Sequence, residues 1–77
     1  MREPSTQEML VWISRTYDMG PDALARMFQH NRQTIDLWLA DGRISLHGTT
    51  KIRSSYYFLS NRRPPAAERA ELAGFIP

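Results

Sequence analysis

The chain has no cysteine, so neither a disulfide framework nor a thiolate zinc site stiffens it. Its two histidines, His30 and His47, are too few to hold a structural metal by themselves. No apolar run is longer than Met9 to Ile13, far short of the roughly 20 residues of a membrane span. The polar N-terminus does not resemble a secretory signal, so a cytoplasmic protein away from membranes is the expectation. Repeats, low-complexity tracts, glycine-rich phosphate loops and nucleophile elbows are missing too, and the histidines with Asp36 or Asp41 match no ligand or acid/base spacing. These absences point away from an enzyme, a metal, a cofactor or a small-molecule effector, and leave both histidines as ordinary surface residues.

Acid is missing only locally. Residues 1–41 carry six acids (Glu3, Glu8, Asp18, Asp22, Asp36, Asp41) against four arginines, whereas 42–67 carry Arg43, Lys51, Arg53, Arg62 and Arg63 and no acid. The overall net charge of +2 is uninformative, but this run is what phosphate binding requires, because self-paired cations release no counterions. A solvated basic surface is the plainer reading of the same run.

A chain of 77 residues supports one small hydrophobic core, and residues 1–77 are read as one domain. Turn signals divide it into helical lengths. Ser5 and Glu8 form a capping box for a first helix reaching about Tyr17, with Leu10, Ile13 and Tyr17 on its inner stripe, Met9 and Trp12 beside them, and Gln7 and Arg15 in water. Gly20-Pro21 opens a second helix to about residue 28, with Leu24, Ala25 and Phe28 inward and Asp22 at the positive end of its dipole. Gln29 and His30 break the periodicity, and Asn31 caps a third helix from about Arg32 to Ala40, with Ile35, Trp38 and Leu39 inward and Asp41-Gly42 as its stop. Arg43 to Gly48 reads as a loop. Thr49 or Thr50 then caps a fourth helix carrying Ile52, Tyr56 and Leu59, and Pro65 to Ala73 reads as a short last helix.

Two short helices joined by a three- or four-residue turn are the unit that lays a second helix across DNA, and Pro21 to Ala40 fits it. Leu24 to Leu39, read as Leu-Ala-Arg-Met-Phe-Gln-His-Asn-Arg-Gln-Thr-Ile-Asp-Leu-Trp-Leu, resembles the helix-turn-helix of the Cro and phage-repressor class. Gly42, Lys51-Ile52 and Leu59 look like that class's fourth helix, so the resemblance spans roughly residues 5–60. It implies an all-α, compact four- to five-helix bundle of the lambda-repressor type that binds a partly palindromic operator as a homodimer and regulates transcription, as a repressor in this reading. The class has glycine where Gln29 stands, because that residue tends to be left-handed, and a small aliphatic residue where His30 stands.

Base contacts are then expected from the outward residues of the third helix: Asn31, Arg32, Gln33, Asp36 and Leu37, with Ala40 at the far edge. Arg32 suits guanine O6 and N7, Gln33 adenine N6 and N7, Asp36 cytosine N4 and Leu37 a thymine methyl. Each has an ordinary alternative: Asn31 as a cap, Arg32 on a phosphate, Asp36 paired within the helix, Leu37 in the core. Phosphate contacts are expected from Arg43, Thr49, Thr50, Lys51 and Arg53, the hydroxyl pair being placed at a helix N-terminus. Arg62 and Arg63 rank lower. A dimer surface is sought among Tyr57, Phe58, Leu72, Phe75 and Ile76, which otherwise complete a monomer's core. The rival classes are a protein-interaction module on the same scaffold, antitoxin-like or anti-repressor, and an architectural DNA or recombination factor.

Overall fold

The computed structural model describes residues 4–62, so the expected helix at 65–73, Arg63, and the candidates Leu72, Phe75 and Ile76 lie outside the described residues. Within them the chain is all-helical, and each helix begins where the local sequence satisfies its orphan amides or removes one. Helix α1, Thr6–Thr16, is capped by Ser5, whose hydroxyl accepts from the Glu8 amide at 3.2 Å while Glu8 Oε1 accepts from the Ser5 amide at 3.1 Å. Helix α2, Pro21–Phe28, follows Gly20 with proline in its first turn. Helix α3, Arg32–Asp41, is capped by Asn31, whose Oδ1 accepts from both the amide and the hydroxyl of Thr34. It stops at Gly42, left-handed at φ 72°.

The fourth helix departs from expectation. Helix α4 runs over Leu46–Ser60, and its cap is Ser45, whose hydroxyl accepts from the Gly48 amide at 3.0 Å. Residues expected in a loop up to Gly48 therefore form its first turn, and neither Thr49 nor Thr50 caps it. The reason is tertiary. A Cβ on Gly48 would stand 2.6 Å from two ring atoms of Trp38, so this residue is glycine for close approach of α4 to the indole, not for a loop.

Met9, Leu10, Ile13, Leu24, Ile35 and Ile52 are fully buried, joined by Ala25, Phe28, Trp38, Tyr56 and Tyr57 in one cluster. Burying each of the larger aliphatic side chains contributes about 1.5 to 3 kcal/mol. Helix α1 packs chiefly on α4, and α2 on α3. The α1–α4 side closes with Trp12 edge-on to Tyr56, centroids 5.3 Å apart, and Tyr56 edge-on to Tyr57 at 5.4 Å.

Two further readings are corrected. Gln7 does not stay in water: its Nε2 donates to the Leu39 carbonyl at 2.9 Å and ties α1 to the last turn of α3. Tyr17 does not extend the buried stripe, since it is the C-cap of α1 and is exposed. Beyond it the chain is closed by the Ser14 hydroxyl donating to the Met19 carbonyl, with Asp18 left-handed between them.

Candidate functional site

The link between α2 and α3 is three residues long: Gln29, His30 and Asn31. Gln29 is left-handed at φ 59° and ψ 45°, the conformation that glycine adopts without strain. The amides of Gln29 and His30 both donate to the Ala25 carbonyl at the end of α2. His30 is not the surface residue expected. It is half-buried, edge-on to Trp38 with centroids 4.7 Å apart, and its Nε2 is shielded without a hydrogen-bond partner among the described residues. Burial, with Lys51 and then His47 adding positive charge, holds its pKa below the ordinary imidazole value.

Helix α3 is anchored on one side and open on the other. Ile35 and Trp38 are buried, Leu39 is half-buried, and Thr34 is turned back to Asn31. Arg32, Gln33, Asp36, Leu37 and Ala40 are exposed, and their spacing of one, three or four residues places them on one face. Leu37, at 60% exposure, is no core residue. Of the five residues singled out for base contact, four therefore share this open face, while Asn31 spends its Oδ1 as the cap. Arg32 is itself engaged, with NH1 3.4 Å from Asp22 Oδ2 and Nε 3.8 Å from Asp36 Oδ2. Asp22, which the sequence marked only as a favourable first-turn acid, thus joins the same patch.

The five residues expected on phosphate are dispersed. Arg43 is exposed just past α3, its amide held by Asp41 Oδ1 at 2.9 Å. Lys51 reaches the end of α2, where Nζ donates to the Phe28 carbonyl at 2.8 Å on the wall of an open cleft of about 320 Å³ shared with Met27, Gln29, Thr50, Ser54 and Ser55. A lysine at a helix C-terminus meets the negative end of the dipole, which accounts for its position. Arg53 turns to the other side of α4, donating to Thr6 Oγ1 at 3.2 Å and to the Tyr57 hydroxyl at 3.4 Å. Thr50 donates to the Leu46 carbonyl one turn back. Thr49 and Thr50 stand inside α4, not at the N-terminus where free amides would join them.

The dimer candidates divide likewise. Phe58 is 84% exposed, but Tyr57 is buried and is not available to a partner. Leu46, also 84% exposed, is not among the sequence candidates, because Arg43 to Gly48 reads as a loop, where no helical face is assigned. Among the described residues no three metal-ligating side chains gather, and no helix is long and apolar enough to cross a membrane. Comparison of the chain with models of known protein families, with curated protein sequences and with solved structures gives no match.

Proposed function

We propose that this chain is a helix-turn-helix protein that binds duplex DNA sequence-specifically and regulates transcription, acting without enzymatic chemistry and as a homodimer on a partly palindromic operator. The observation that carries the reading is α3 itself: a short helix fixed from behind by Ile35 and Trp38, joined to α2 by three residues, and presenting Arg32, Gln33, Asp36 and Leu37 together to solvent. Hydrogen-bonding side chains on the outer, N-terminal part of a rigid helix are what direct readout of a major groove requires. Arg43 is the cation best placed to accompany them onto the backbone, being exposed at the far end of the same helix. Repression is the simplest action for such a module, since occupying a site is enough to block it.

A second reading, a protein-interaction module, draws support from the carboxylates of Asp22 and Asp36 on the same face, because they repel phosphate. Selection of bound duplexes from a random DNA pool at near-physiological salt separates the two. The DNA reading expects a two-fold motif with half-sites about 34 to 36 Å apart. Arg32→Ala or Gln33→Ala should then cost about 1 to 3 kcal/mol at one base pair of that motif. Recovery of nothing above background would transfer the assignment to a protein partner.

A further inference from the structure

Arg32 stands between two acids supplied by different helices. Asp22 lies in the first turn of α2, and Asp36 lies one turn along α3 from Arg32 itself. The side chains of Arg32, Asp22 and Asp36 are 61%, 64% and 53% exposed, so the group faces solvent as a unit carrying one positive and two negative charges.

That balance discriminates between two kinds of acceptor. A phosphate brought to this guanidinium meets one attracting charge with two repelling carboxylates 3.4 and 3.8 Å from it, and they weaken the attraction. The guanine edge is neutral, and its O6 and N7 interact with the N–H donors at hydrogen-bond distance while net charge matters little. Arginine has five N–H donors in a planar fork. Asp22 takes one side of NH1 and Asp36 lies by Nε, which leaves NH2 and the second proton of NH1 outside both contacts.

We infer that Arg32 reads a guanine edge and not a phosphate, and that Asp22 is the specificity-determining residue that enforces the choice. The inference rests on the DNA-binding reading above. Arg32 contributes base preference but releases no counterion, and without Asp22 only Asp36 opposes a phosphate at the same guanidinium, so contacts that any sequence satisfies gain weight.

The test uses the full chain, the duplex recovered by selection and a random duplex, with affinities measured over a series of salt concentrations. Arg32→Ala is expected to lose about ten-fold in preference at one base pair and to leave the salt slope unchanged. Asp22→Asn is expected to bind the random duplex about two- to five-fold more tightly, to steepen the salt slope by up to about one ion, and to lower the ratio between the two duplexes. Asp22→Glu, which keeps the charge, should retain the wild-type ratio and slope. If Arg32→Ala weakens both duplexes equally and flattens the slope, Arg32 is a phosphate contact and the inference is overturned. A normal loss for Arg32→Ala beside an unchanged ratio for Asp22→Asn overturns the role of Asp22 and leaves the DNA reading standing. Failure of the wild-type chain to select or bind any duplex overturns both together.

Discussion

The two faces of α3 differ in what their residues answer to. Ile35 and Trp38 on the inner face are buried against the other helices, while Arg32, Gln33, Asp36 and Leu37 on the outer face are exposed, Arg32 pairing with Asp36 and reaching Asp22 on α2. An inner substitution removes packing that nothing can replace, whereas an outer one away from such contacts usually shifts stability by no more than about 0.5 kcal/mol. The sequence of α3 is therefore under two separable demands, one set by the fold and one by whatever the helix meets.

The sharpest way to break this division is from inside. Trp38→Ala should destabilise the chain by about 3 to 5 kcal/mol, measured as a drop in the urea midpoint. Gly48→Ala attacks the same indole from α4. Although alanine is the better helix former by about 1 kcal/mol, its methyl has no room beside Trp38, and a net loss of about 1 to 3 kcal/mol is expected. A stabilised Gly48→Ala would mean that the indole moves aside freely, and the inner face would then be less rigid than the division requires.

Smaller effects sharpen the boundary between the faces. Gln29→Gly relieves a left-handed residue and should raise stability by at most about 1 kcal/mol, the greater unfolded-state freedom of glycine offsetting part of the gain. Binding by α3 should be unaltered. His30 adds a dependence on pH. Its folded pKa is lowered by burial and by Lys51 and His47, so the unfolded chain takes up the proton first. This contribution is fully favourable above the ordinary imidazole pKa of about 6.5 and is lost as the pH falls through that value toward the folded pKa. Urea midpoints at about pH 7.5 and 5.5 should differ for the wild type and differ less for His30→Gln; an equal difference in the variant would assign the dependence to another group.

How much of this was legible in the sequence depended on range. The starts of α1, α2 and α3 and the end of α3 are written in neighbouring residues, Ser5 with Glu8, Gly20 with Pro21, Asn31 and Gly42, because caps and turns are local chemistry. The left-handed residue at Gln29 is not written there: it was expected from the resemblance alone, at a position where that class has glycine. The start of α4 was misread because Gly48 answers to Trp38, ten positions away, and no local signal distinguishes a glycine needed for contact from one needed for a turn. The sequence puts Gln7 in water and Lys51 and Arg53 on phosphate, yet each reaches a distant partner on another helix. Periodicity assigns a face to a residue and says nothing of how far a long polar side chain extends. The outer face of α3 was legible as a set of residues; the joining of Asp22 to Arg32 was not, because it depends on how α2 and α3 lie together.

The contact between Gly48 and Trp38 also has a meaning for divergence. A lineage that replaces the indole by a smaller side chain is released from glycine at position 48, and one that keeps the indole is not. The two positions should therefore change together: glycine is required at 48 only while the indole stands against it, and a smaller side chain at 38 makes the room that a Cβ at 48 needs.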